Sequence, residues 1–87
     1  MITVYKYEIN SSKSNILVHM NCKILNVGLD PKGVQCIWAL VNTDEPIIAI
    51  NVITVGTGWE IEEDIGMLEH IGTYKQNMYI WHTFIKK

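Results

Sequence analysis

Between Val34 and Val41 the chain reads Val-Gln-Cys-Ile-Trp-Ala-Leu-Val, a run of strand length with apolar residues on both parities. Turn residues bound it on either side, so it predicts a central β-strand covered on both faces. Thr3 to Ile9 alternates instead, with Tyr5, Tyr7 and Ile9 on one face and Val4, Lys6 and Glu8 on the other, the mark of a half-buried first strand. Asn10 to Asn15 is a polar loop, after which Ile16, Val18 and Met20 recur every second residue and predict a second strand with His19 facing outward. Lys23 to Leu29 is the third strand. Ile47 to Val55, β-branched and interrupted by Asn51, predicts a buried fifth strand that Gly56-Thr57-Gly58 ends. Leu68 to Lys75 and Met78 to Lys86 form a last hairpin joined at Gln76-Asn77.

Turn chemistry sets one register. Proline cannot take the positive φ of a type I′ loop, but Asp30-Pro31-Lys32-Gly33 suits a type I turn closed by Gly33 as a left-handed bulge residue. Counting outward from an Asp30–Val34 pair puts Gly28 opposite Cys36, Val27 opposite Ile37, Asn26 opposite Trp38, Leu25 opposite Ala39 and Ile24 opposite Leu40. Cys22 and Cys36 then lie roughly 20 Å apart along the ribbon, too far for a disulfide. A two-residue loop at Gln76-Asn77 places Tyr74 opposite Tyr79, Gly72 opposite Trp81 and Ile71 opposite His82, so that each hairpin lays an indole over a position with little or no side chain. The expected fold is all-β: about seven short antiparallel strands in a meander, a small sandwich or partly closed barrel. At most one helical turn is expected, near Glu62 to Ile65, within a single domain over residues 1–87.

With 87 residues, 48% of them hydrophobic, the chain suits one globular core and not a disordered tail. No run approaches the ~20 apolar residues of a membrane-spanning helix, and the strand-like N-terminus carries no leader pattern, which predicts a soluble intracellular protein. The net charge is −2, and every basic residue is lysine. None lies between Gly33 and Tyr74, whereas Asp44, Glu45, Glu60, Glu62, Glu63, Asp64 and Glu69 all do. The missing arginine fork and the acidic middle argue against direct nucleic-acid binding.

Catalytic patterns are weak. The serines sit in the first loop without a base, Cys36 reads as a buried thiol, and Glu62, Glu63 and Asp64 lie on an exposed loop where carboxylates keep ordinary acidity. His19, His70 and His82 lack metal-ligand spacing, so no metal, cofactor or enzymatic activity is expected. Gly56-Thr57-Gly58 reads first as a strand-ending turn and second as an anion-binding nest of amides. Trp59 leading Glu60, Glu62, Glu63 and Asp64 reads first as a solvated acidic loop that keeps a small protein soluble and second as the main binding feature, an aromatic anchor with steering carboxylates suited to a basic protein surface. Tyr74, Tyr79 and Trp81 divide between core and binding face.

Lys6-Tyr7-Glu8, Met20 followed by Ile24-Leu25, Cys36-Ile37-Trp38-Ala39-Leu40-Val41, Gly56-Thr57-Gly58, Ile71-Gly72-Thr73-Tyr74 and Trp81-His82-Thr83-Phe84 occur in that order. On these segments the chain resembles a family of small uncharacterised proteins encoded by bacteriophages and prophages, a domain of unknown function. Asn21 and Cys22 stand where that family usually has proline and glycine, and the last hairpin turn is shorter than usual for it. The resemblance implies a phage gene acting in the cytoplasm of a bacterial host and brings no assigned activity. The expected function is therefore counter-defence: a non-enzymatic inhibitor that binds and neutralises a host protein with a basic surface. The alternatives are a sponge for a nucleotide immune signal, held by the Gly56–Gly58 amides, stacking aromatics and Lys75, and a virion or assembly component. Edge strands offer a route to a homo-oligomer.

Overall fold

Alternation of apolar and polar residues becomes seven strands in the computed structural model, which describes residues 1–87: β1 (Ile2–Glu8), β2 (Lys13–His19), β3 (Lys23–Leu29), β4 (Gln35–Asn42), β5 (Ile47–Gly56), β6 (Leu68–Gln76) and β7 (Tyr79–Lys86). The one helical element is a 3-10 turn, Ile65–Met67, slightly C-terminal to the expected position. Asp64 caps it, its Oδ1 accepting the Gly66 amide at 3.1 Å. No helix is long and apolar enough to cross a membrane.

All pairings are antiparallel, in two sheets ordered β1-β4-β3 and β2-β5-β7-β6. The all-β class is as expected, and the barrel is not closed; the connectivity corrects the meander. Only β3–β4 and β6–β7 are hairpins, whereas β1 pairs with β4, β2 with β5, and β7 lies between β5 and β6. Each N-terminal strand has one apolar face, and any strand of the right parity can cover it, so alternation alone does not name the partner.

The molecule is 17 Å across its thinnest dimension, the thickness of two sheets about 10 Å apart with their outer side chains. Ile37 and Val27 of one sheet meet Ile16, Val18 and Val52 of the other, with Ile9 between them and Tyr7, Ile24, Ile48, Ile50, Ile71 and Tyr74 around the edge. β4 is the middle strand of its sheet, as predicted. Its inner residues Ile37, Ala39 and Val41 are buried, while cover on its outer face fades from Cys36 (0% exposed) to Leu40 (38%). β5 is buried on both faces only over Val52–Gly56; Ile47, Ala49 and Asn51 are exposed. Within this half the hydroxyls of Thr54 and Thr83, on neighbouring strands, share a buried hydrogen bond at 2.9 Å.

The Pro31 turn forms as its chemistry demands: Asp30 N–H donates to Val34 O at 2.8 Å, Gly33 N–H to Asp30 O at 2.9 Å, and Gly33 takes φ 82°. The Asp30 carboxylate fastens it by accepting the Lys32 and Val34 amides, each at 2.9 Å, and Lys6 Nζ at 3.0 Å. Asn26, Val27 and Gly28 oppose Trp38, Ile37 and Cys36 as counted. Beyond Asn26 a bulge at Leu25 breaks the count, so Ile24 faces Ala39 and Lys23 faces Leu40. The extra residue turns Leu25 outward, 49% exposed, and keeps Ile24 against the core.

Three other expectations are corrected. β2 starts at Lys13, because Ser11 Oγ donates to Lys13 O and Thr54 N–H to Ser12 O, drawing the polar segment onto the sheet. The last hairpin turns at Asn77-Met78, with Gln76 opposite Tyr79. The loop needs a positive φ, and Asn77 (55°) tolerates it where glutamine would not. Tyr74 therefore faces Trp81, and Gly72 faces Thr83. Gly72 does not lie under an indole: a Cβ there would come within 2.8 Å of Val27 Cβ, so its bareness lets β6 approach β3 across the sandwich. A bulge at Ile71 places His70 opposite Phe84.

Candidate functional site

Gly58, at φ 87°, turns the chain back on itself after β5, and Trp59 N–H donates to Gly56 O at 3.1 Å. The reversal lays the Trp59 indole on Gly56: a Cβ there would sit 2.9 Å from Trp59 Nε1. Trp81 faces Gly56 from β7 and meets Trp59 edge-on, with ring centroids 5.3 Å apart at 90°. Tyr79 stacks on Trp81 at 5.5 Å and 20°. Each such aromatic pair contributes about 0.5–1.5 kcal/mol beyond its buried area. The indole cover expected over Gly28 and Gly72 is absent: a Cβ at Gly28 would meet nothing within 4 Å and one at Gly72 would meet Val27, and the glycine that an indole does cover is Gly56, under Trp59.

Two glutamines, which sequence reasoning missed, fix this cluster. Gln76 Oε1 accepts from Trp81 Nε1 at 3.0 Å and from Gln35 Nε2 at 3.1 Å, and its Nε2 donates to Gly33 O at 3.4 Å. They join the β6–β7 hairpin to the β3–β4 turn. Nothing in a single sequence pairs residues 35 and 76. Tyr74 belongs to the core: its buried hydroxyl has no partner, and burial pushes its pKa up, against the pull of the nearby Thr83 and Thr54 hydroxyls.

The acidic loop is not uniformly free. Glu60 is exposed. Lys13 Nζ lies 3.7 Å from Glu62 Oε2 and 3.4 Å from Glu63 Oε1. The Glu62 side chain is 81% exposed, but that of Glu63 only 9%, and its Oε2 is buried with no hydrogen-bond partner. This corrects the reading of Glu63 as an exposed carboxylate. Asp64 is committed to its capping role. A cleft of about 140 Å³ under the loop is bounded by Trp59, Glu60, Glu62 and Glu63, with Lys13 and Ser12 across from them and Ile53, Val55 and Ile61 as its apolar lining.

The Gly56–Gly58 turn is poorly suited to an anion nest, since Thr57 N–H donates to Ile80 O at 3.3 Å and the Trp59 amide is taken by Gly56. Lys75 pairs with Ile80, which strand alternation places on the sheet face opposite Trp81. The Trp81 ring is already engaged, by Tyr79 stacked on it and by Trp59 at right angles to it.

The histidines all have partners. His19 Nδ1 is hydrogen-bonded to Glu45 O at 2.9 Å. His82 Nε2 and Thr57 Oγ1 share a bond of 2.6 Å, His82 Nδ1 and Thr73 Oγ1 one of 3.1 Å, and Thr73 Oγ1 and His70 Nε2 one of 2.8 Å. His70 and His82, expected on opposite faces, thus share one face through Thr73, because the Ile71 bulge inverts the alternation. No three His, Cys, Asp or Glu side chains are grouped to hold a metal ion.

At the other end of the sandwich is a wider cavity of about 530 Å³, floored by Val18, Ile24, Ile48, Ile50, Ile71 and Ile85. His19, Cys22, Lys23, Glu69 and His70 rim it. Its lining comes from five strands and a turn, so no local motif signals it. Burial raises the Cys22 pKa and keeps the thiol protonated and a poor nucleophile; burial does the same to Cys36, helped by the Asp30 carboxylate.

The molecule is thus an all-β sandwich with an acidic, aromatic end. Residues 1–87 match the family described as a domain of unknown function, DUF7352, and the chain belongs to that family. No curated protein and no solved structure matches it.

Proposed function

We propose that this chain is a non-enzymatic accessory protein of a bacteriophage or prophage, acting in the host cytoplasm by binding and neutralising a host component such as a defence protein. The observation that carries the reading is the acidic end: Trp59, 52% exposed, stands beside the exposed carboxylates of Glu60 and Glu62. An aromatic anchor ringed by carboxylates suits a basic protein surface, where the charges speed approach and the indole holds. The phage setting comes from the sequence resemblance. The binding role is supported by the lack of convergent nucleophile and base: Ser11 and Ser14 bond only to their own loop, and both thiols are held protonated.

The test is affinity capture from host lysate with the wild type, the Glu60→Lys/Glu62→Lys variant and Trp59→Ala. A host protein retained by the wild type and lost from both variants is the expected result; identical captures from all three would sink the reading. A thermal-shift panel of cyclic and ADP-ribose-type nucleotides runs alongside, and a saturable shift there would replace protein docking with nucleotide sequestration.

A further inference from the structure

We infer that the cleft under the acidic loop is a seat for an arginine side chain presented by the partner protein. This rests on the docking reading above and names what the partner must offer.

Glu63 points to a ligand. A carboxylate oxygen cut off from both water and donors is costly, and its Oε2 is in that position while Oε1 takes only the Lys13 ammonium at 3.4 Å. Glu60, Glu62 and Glu63 put three carboxylates around one cleft that holds a single ammonium, so negative charge is left over. Lys13 itself, with its side chain 63% exposed, spans Glu62 and Glu63 and marks the place as one where a cation settles. The cleft also has what the stem of a long basic side chain needs, an aliphatic lining from Ile53, Val55 and Ile61.

Arginine fits better than lysine. A second ammonium would compete with Lys13 for the same oxygens. A guanidinium is flat and weakly hydrated, stacks on an indole and gives several N–H groups in one plane, so it can lie along Trp59 and still donate to two carboxylates. Glu63 Oε2 is buried, so seating the guanidinium on it requires the Trp59–Asp64 loop, which carries neither helix nor strand, to move aside. The chain has no arginine of its own with which to fill the cleft.

The probe is N-acetyl-arginine amide, followed by ¹H–¹⁵N NMR on the intact protein, with N-acetyl-lysine amide and the uncharged N-acetyl-citrulline amide as comparisons. Arginine amide should move the Trp59 indole N–H but not that of Trp38, and bind more tightly than either comparison. Glu63→Gln should weaken it about tenfold, the loss of one charged hydrogen bond. Glu60→Gln/Glu62→Gln, at exposed positions that leave folding intact, should weaken it as well. No Trp59 response, equal affinity for the three amides, or full affinity in Glu63→Gln would each overturn the arginine seat. If lysate capture still depends on Glu60 and Glu62 while the amide fails, docking stands and the arginine seat falls; if capture fails too, both fall.

Discussion

Trp59 occupies the space that a side chain at Gly56 would need, its Nε1 lying 2.9 Å from the position of the missing Cβ. The relationship decides how the acidic loop leaves β5. Gly56→Ala pushes against the far edge of a half-exposed ring that can swing outward, so the cost to stability is small, under about 1 kcal/mol, while the Trp59 environment changes strongly. Gly72→Ala, by contrast, meets Val27 Cβ at 2.8 Å in the core, where neither sheet can give way, and should cost about 1–3 kcal/mol. Urea denaturation read by tryptophan fluorescence separates the two; a larger loss at Gly56 than at Gly72 would refute this account.

Asp30 makes stability depend on acid. The Val34 amide first, then Lys6 and the Lys32 amide, hold its carboxyl below its ordinary value of 3.8. The folded protein therefore binds this proton less readily than the unfolded chain. The stabilisation is complete above the ordinary carboxylate range and drains away as pH falls through the lowered folded value. Lys6, raised above 10.5 chiefly by its hydrogen bond to Asp30, works in the other direction: its share is complete below that value and lost as pH rises beyond the folded pKa. Asp30→Asn should be less stable than wild type near neutrality, with a flatter acid limb as pH falls below the ordinary carboxylate range. Urea midpoints across pH measure this, and parallel acid limbs would show that Asp30 is not the group responsible.

Gln76 supports two donors at once. Gln76→Ala leaves Trp81 Nε1 and Gln35 Nε2 without their acceptor, at a cost of about 1–2 kcal/mol, or roughly 4–16 °C in Tm for a domain of this size. The Tyr79–Trp81 stack should loosen with it, visible as lost near-ultraviolet circular dichroism. An unchanged spectrum would mean that the rings hold themselves.

The buried Thr54–Thr83 pair offers a test of polar satisfaction. Thr83→Val strands the Thr54 hydroxyl and should cost about 1–3 kcal/mol. Replacing both threonines by valine removes the need for a partner and should recover most of that loss. A double variant as weak as the sum of the two single ones would contradict this.

How far the sequence reaches is clear from particular residues. Asp30, Pro31 and Gly33 announce their turn because its chemistry is local, and the pairing of Asn26 with Trp38 follows from it. The same counting fails one step beyond, at Leu25, because a bulge responds to what the neighbouring side chains must bury, and that depends on the opposite sheet. Asn77 carries a readable signal, as the residue of its loop that best tolerates positive φ, and a turn at Asn77-Met78 instead of Gln76-Asn77 is what sets Tyr74 opposite Trp81 and Gly72 opposite Thr83. In the candidate site, Trp59 and the carboxylates stood out by composition. Their division of labour did not: Asp64 caps the turn beside it, Glu60 and Glu62 are exposed, and Glu63 is tucked against Lys13, a contact made from a strand some fifty residues earlier.

The strand order also governs the sequence of events as the chain leaves the ribosome. β1 must wait for β4 and β2 for β5, so the first nineteen residues have no sheet to join until residues 36–53 have been made. Only the Pro31 hairpin can close early, from neighbours in the chain. It becomes the seed on which older segments settle, and the long loops they must close make this a slow folder for its length.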